Sequence, residues 1–325
     1  MAMNWKGLLK GGAALAALGV VLSACGASST PAKKKITIGF VVGITSDPYF
    51  ITMEQGAQAE AKKLGVTLYW EGSTTTYSPT TEIPYVDAVL AKHPSALVLS
   101  PTNAQALIPV VKQARSEHIP VLNVDTYIND TSLLVTRIAG NNPAGGAQAA
   151  KLLASAIGDS GQVLLLDSSA GVTSDDLRSA AFVSTLKQYP NITLVGTQYS
   201  QDVATNAQTI VQQELSRYPD LKGIFAVDDV TAEGTIAELQ ALGKLGSVKV
   251  ISYDAEPAQV AALKADKLVG LIAQQPALEG KLSVEYAVKA AEGKTAGIPK
   301  VISVPNITIT YANYKANEQY FYSAG

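Results

Sequence analysis

The sequence predicts an α/β protein of two doubly wound, parallel-sheet domains, and three observations carry that prediction. Ten short apolar runs rich in β-branched residues alternate with segments of helical character, five runs and then five more. The chain beyond residue 35 is too long for one typical domain and suits two. Aspartates recur where these runs end, and ligands of open parallel sheets bind beyond the carboxyl ends of the strands.

The elements follow in order. Met1–Lys10 carries Lys6 and Lys10 and leads into the uncharged stretch GGAALAALGVVL (11–22). As a helix this stretch reaches about 18 Å, short of the roughly 30 Å of a hydrocarbon core. A basic start, a short apolar run and small residues before a cut describe an export signal. The chain's single cysteine, Cys25, can form no internal disulfide. It closes the tetrapeptide Leu22-Ser23-Ala24-Cys25, which looks like a bacterial lipobox. The expectation is a lipoprotein signal over 1–25, with the peptide removed before Cys25 and Cys25 acylated as a durable membrane anchor. An ordinary secretory signal that happens to end near a cysteine is the alternative. Residues 26–35, GASSTPAKKK, have the composition of a flexible tether.

The first set of runs is ITIGFVVG (36–43), VTLYWEG (66–72), ALVLS (96–100), IPVLNVD (119–125) and VTRIAG (135–140). The second is QVLLLDS (162–168), ITLVGTQ (192–198), GIFAVDD (223–229), VKVISYD (248–254) and LVGLIAQ (268–274). Without polar alternation these read as strands buried on both faces. A helix is expected to start at Asp47-Pro48, to bury Phe50, Met53, Ala57, Ala61 and Leu64, and to stop at Gly65. No strong internal sequence repeat accompanies the duplicated pattern.

Composition excludes several functions. Hydrophobic residues make up 47% and charged residues 16%, with a formal net charge of −2, so no basic nucleic-acid surface is expected. No run after the leader approaches the 18 or so apolar residues of a membrane helix. His93 and His118 lie in turns at the amino ends of strands, away from the expected site. No metal-ligand spacing appears, and GFVVGITSDP lacks the glycine pattern of a phosphate loop, so neither metal, cofactor nor catalytic residues are assigned. Gly145 and Gly146 in NNPAGGAQAA read as helix packing.

The carboxyl ends carry Asp47, Asp125, Asp167, Asp228, Asp229 and Asp254, with Tyr49 and Phe50 beside the first. Carboxylates accept strongly from hydroxyl donors, yet aspartate is also a favoured helix cap, and both roles stay open here. Phe50 also fits the buried helical stripe, leaving Tyr49 as the better ligand contact. Arg178 can bond Asp175 on the same helix face, or a ligand. Gln274 ends an apolar strand, where its side chain needs a partner.

Seven segments in order resemble the sugar-binding proteins of bacterial ABC transporters of the ribose and galactose type, over roughly residues 36–310. IGFVVGITSDPYFITMEQGAQAEAKKLG is similar to the family's first strand and helix, and implies sugar contacts at Asp47, Tyr49 and Phe50. IPVLNVDT implies Asp125, with Thr126 where an arginine is usual. RIAGNNPAGGAQAAKLL is similar to a crossing into the second domain. AGVTSDDLRSAAF implies Asp176 and Arg178, IFAVDDVTAEG implies Asp228, VISYDAEP implies Asp254 and LIAQQP implies Gln274. A second aromatic is usual near TQYSQDVAT, where only a displaced Tyr199 stands.

The resemblance implies the type I periplasmic binding protein fold, with three hinge crossings near 139–141, 274–276 and 303–305. One lobe would comprise 36–139 and 275–303, and the other 140–274 and 304–325. It implies a monomeric, extracytoplasmic protein that delivers a sugar, polyol or amino sugar to an ABC transporter permease. A ligand-binding receptor serving a signalling partner, for a sugar or a quorum-sensing furanone, is the alternative. With several acids against Arg178, a neutral or cationic ligand is expected, anchored most strongly by Asp125 and Asp254.

Overall fold

The computed structural model describes residues 35–323 together with Met1; the leader, Cys25 and the tether up to Lys34 lie outside the described residues. Each of the ten apolar runs forms a strand. They are β1 (Thr37–Ile44), β2 (Thr67–Ser73), β3 (Ala96–Leu99), β4 (Val121–Val124), β5 (Arg137–Gly140), β6 (Gly161–Asp167), β7 (Ile192–Tyr199), β8 (Leu221–Ala226), β9 (Lys249–Tyr253) and β10 (Gly270–Ala273). Two short edge strands were not foreseen, β11 (Val301–Val304) and β12 (Ile307–Ile309). The helices between them are α1 (Pro48–Leu64), α2 (Pro79–Leu90), α3 (Ile108–Ser116), α4 (Asn142–Ala156), α5 (Thr173–Leu186), α6 (Ala204–Arg217), α7 (Asp229–Ala241), α8 (Pro257–Lys264) and α9 (Pro276–Ala291).

Two six-stranded sheets result. The first runs β11-β5-β4-β3-β1-β2, parallel throughout. The second runs β12-β10-β9-β8-β6-β7, parallel except for β12. Without their edge strands the two sheets are wound identically. Burial on both faces explains the unbroken apolar runs: Ile38, Phe40 and Val42 pack with Met53, Ala57 and Ala61 of α1, while Val41 faces Val86, Val89 and Leu107 on the other side.

Helix α1 is delimited as its sequence indicates. The Asp47 carboxylate accepts from the Tyr49 amide at 2.7 Å, Pro48 opens the helix, and Gly65 closes it at φ 68°. The buried stripe stops at Ala61, however, because Leu64 at the last turn is 41% exposed.

The chain passes between the sheets after β5, between β10 and α9, and between β11 and β12. These three segments bond one another. The Asn141 amide donates to Val304 O at 2.8 Å, Asn306 Nδ2 to Asn141 O at 2.8 Å, and Gln275 Nε2 to Pro305 O at 2.7 Å. The segment 304–323 touches both lobes. Strand β12 joins the second sheet, but the Ser323 amide donates to Thr52 Oγ1 on α1 at 2.8 Å.

Candidate functional site

Parallel winding directs the carboxyl ends of β1, β4, β6, β8 and β9 toward one cleft, and a cavity lies there. From the first lobe it is lined by Asp47, Tyr49, Phe50, Tyr77 and Asp125. From the second come Ser168, Val172, Ser174, Asp175, Arg178, Asp202, Asp228, Asp229 and Asp254, and Gln274 joins them from a crossing segment. Eight of the nine expected ligand residues are thereby brought together.

The exception is Asp176. It is exposed, and its carboxylate accepts from the Gly171 amide at 3.2 Å, whereas Asp175 lines the cavity. The helical turn gives the reason: residues three apart share a face and neighbours do not. Asp175 therefore lies with Arg178, which donates to it through Nη1 at 2.9 Å.

Arg178 is 2% exposed, and its guanidinium is heavily engaged. Nε donates to Asn142 Oδ1 at 2.9 Å, Nη1 also donates to Val227 O at 3.1 Å, and the plane lies 3.8 Å from the centre of the Tyr253 ring. Among the described residues no hydrogen bond engages Nη2. Close packing brings the arginine here: a Cβ on Gly146 of α4 would stand 2.0 Å from Arg178 O, so glycine lets α4 approach α5. This supports the packing role for that glycine pair.

Asp125 and Asp254 occupy equivalent places. Each follows the fourth strand of its sheet, has φ near 60–71°, and donates its amide to the next strand, to Ile138 O and Ile272 O. A non-glycine residue in the left-handed region costs about 1–2 kcal/mol. Such outliers at both ends of one cavity suit a site whose geometry matters more than its stability. Asp254 Oδ1 accepts from Gln274 Nε2 at 2.8 Å and from the Tyr322 hydroxyl at 2.9 Å, and Oδ2 is 3.9 Å from Arg178 Nη1. Asp125 has a weaker described contact, Ser100 Oγ at 3.4 Å.

Helix capping and cavity lining coexist at Asp47 and Asp228. Asp228 accepts from the Thr231 amide at 2.7 Å and still lines the cavity. Asp167 does not line it; it accepts from the Ser168 amide and the Ser179 hydroxyl. Both rings at the start of α1 reach the cavity, and Tyr49 also donates to Glu279 Oε2 at 2.9 Å. Thr126, where the resemblance would place arginine, donates its hydroxyl to Pro101 O at 2.7 Å and is no part of the lining. Tyr199 is 43% exposed and does not line the cavity either.

Seven aspartates against one arginine leave most acids without a counter-charge. Burial pushes Asp125 up to about 7 and Asp202 up to about 6, and raises Asp228 well above the usual carboxylate range. Asp47, Asp229 and Glu256 form a second acidic set, with one oxygen from each lying within 4.8 Å of the others. Burial and then the Asp229 charge push Glu256 up to about 10.

Sequence reasoning missed Tyr77, Asp202 and Glu256, and left Asp229 open between cap and ligand contact. Asp202 had a signal, since it lies just beyond the β7 end like the aspartates that were found. Tyr77 had none, because it comes from the loop after β2.

Two identically wound lobes, three mutually bonded crossings and a polar cavity at the strand ends define a two-lobed ligand-binding protein. Residues 38–295 match the periplasmic binding protein domain, and the chain belongs to that family. It is 29% identical over 278 residues to the ribose import binding protein of Bacillus subtilis, covering 86% of this chain and 88% of that one. It is 26% identical to the xylitol-binding protein of Mycolicibacterium smegmatis, covering 91% and 84%. A solved ABC transporter solute-binding protein of Agrobacterium vitis, bound with α-D-tagatopyranose, superposes with a TM-score of 0.86 at 33% identity, covering 89% and 100%.

Proposed function

We propose that this protein captures one small sugar or polyol between its lobes and delivers it to an ABC transporter permease. The observation that carries the reading is the cavity itself, where buried carboxylates and aromatic rings converge at the strand ends of both sheets. Hydroxyl groups of a polyol donate to Asp125, Asp228 and Asp254, and the C–H face of the ligand lies against Tyr49, Phe50 or Tyr77. Arg178 supplies the donor for a ring or hydroxyl oxygen. A second anion would have to be buried beside unpaired acids, which costs several kcal/mol. A neutral ligand avoids that cost, and an amino sugar would offset part of the negative charge.

The protein binds and releases its ligand without turnover, as a monomer. Cys25 carries the lipid that holds it on the extracytoplasmic face of the membrane. The three crossings act as a hinge, so ligand draws the lobes together. The test is a thermal-shift and calorimetric screen of ribose, xylitol, D-tagatose, myo-inositol and glucosamine. A saturable rise in melting temperature with one of them supports the reading. Silence across the panel, or conversion of the ligand to product, contradicts it.

A further inference from the structure

Chain beyond the matched family span returns to Asp254 from behind the cavity lining, and we propose that Tyr322 is a positioning residue for Asp254, its hydroxyl fixing which carboxylate oxygen is turned toward the ligand. The proposal rests on the sugar-binding reading only in taking Asp254 as a ligand anchor.

Tyr322 is 6% exposed, and its hydroxyl is used twice. It donates to Asp254 Oδ1 at 2.9 Å and accepts from the Gln274 amide at 2.9 Å. Gln274 Nε2 donates to the same Oδ1 at 2.8 Å, so that oxygen is occupied by two donors. Oδ2 is left to face Arg178. The Tyr322 amide donates to Ala255 O at 3.0 Å, which pins the peptide just after the left-handed Asp254. On its other side the tail holds the first lobe. The Tyr322 ring meets Tyr49 edge-on at 5.7 Å, and Ser323 bonds Thr52 Oγ1 and Gln55 Oε1. Asp125, in the equivalent place of the first lobe, has the same strained backbone and the longer Ser100 contact in place of these donors. The second lobe thus obtains its ordered carboxylate from a segment that β9 does not encode.

Phenylalanine at 322 keeps the ring and removes only the hydroxyl. Several charged or titratable groups face Asp254 and stay in place: Arg178 and Asp175 on α5, Asp125 after β4, Asp229 on α7, Glu279 on α9, and Tyr253 with Glu256 beside it in the chain. A donor to the ionised carboxylate is lost, so Asp254 should protonate at higher pH.

The experiment is a carbon-13 NMR titration of the aspartate carboxyls in the full chain without ligand, with the Asp254 signal identified through Asp254→Asn. In Tyr322→Phe the Asp254 titration should move upward, while Ser323→Ala, which touches only α1, should leave it in place. Calorimetry with ribose, xylitol and D-tagatose should show binding weakened in Tyr322→Phe, by less than in Asp254→Ala, because the hydroxyl orders the anchor and does not itself touch the ligand. Tyr322→Phe should add nothing further on an Asp254→Asn background. An unmoved Asp254 titration in Tyr322→Phe, or an equal movement in Ser323→Ala, overturns the proposal. If none of the three sugars binds the natural protein, the sugar reading fails and the ligand-free titration still decides the role of Tyr322.

Discussion

The two lobes share one winding and bring different chemistry to the cavity. The first contributes three rings, Tyr49, Phe50 and Tyr77, with Asp47 and Asp125. The second contributes five aspartates and Arg178, with no aromatic ring among its described lining residues. Topology therefore explains why strand ends meet, and the side chains at those ends divide the work. One lobe presents apolar faces; the other presents hydrogen-bond partners organised around a buried cation. The aspartates in equivalent places sharpen the contrast. Asp254 receives two donors and lies 3.9 Å from Arg178 Nη1, whereas Asp125 has the longer Ser100 contact, and burial pushes it up to about 7 against the pull of the Arg178 charge.

The largest break in this comparison is Arg178→Met. It strands Asp175 and Asp254, so ligand-free stability in urea should fall by about 3–5 kcal/mol, as when one partner of a buried ion pair is removed. A loss below about 1 kcal/mol would show that the second lobe is not organised around this charge.

Asp254→Ala and Asp125→Ala should each weaken sugar binding by about 1.5–3 kcal/mol by calorimetry. Their effects on the ligand-free protein should diverge. Asp254→Ala removes a partner of Arg178 and should lower the melting temperature, while Asp125→Ala removes a buried acid whose desolvation outweighs the pull of Arg178 and should raise it above pH 7. Changes of the same sign would erase the distinction between the lobes.

The pH dependence follows from the same difference. Asp125 titrates near 7 in the folded protein and near 4 when unfolded, so between these values the folded state binds more protons. Ligand-free stability is then greatest at the acid end of that window and falls as pH rises through 7. Thermal melts from pH 5 to 8 should show the decline, and Asp125→Asn should flatten it. Part of the slope should persist, because burial also pushes Asp167 up to about 7. The smallest effect is expected at Tyr199, which is exposed and off the cavity. Tyr199→Ala should change sugar affinity by no more than about 0.5 kcal/mol, and a larger loss would reveal a ring contribution from the second lobe.

What the sequence disclosed follows from what leaves a local pattern. Strands buried on both faces leave unbroken apolar runs, so β1 to β10 were legible. Strands β11 and β12 are four and three residues long, lie at sheet edges and are partly exposed, so no such run marks them. The strand-end aspartates were legible because the winding dictates where strands end. The choice of Asp176 over Asp175 failed because one residue along a helix turns a side chain off the face that meets the cavity. Tyr77 lines the site from a loop and Tyr322 reaches Asp254 from the tail, through contacts whose sequence separation hides them; Tyr322 lies 68 residues from Asp254.

The central claim is that the cavity selects against anions because its acids outnumber its cation. Isothermal titration calorimetry of the natural protein, with ribose and xylitol set against ribose 5-phosphate and gluconate at pH 7.5, tests it most directly. The account predicts saturable binding of at least one neutral compound and none of either anion. Tight binding of an anion, with the neutral compounds ignored, would contradict it.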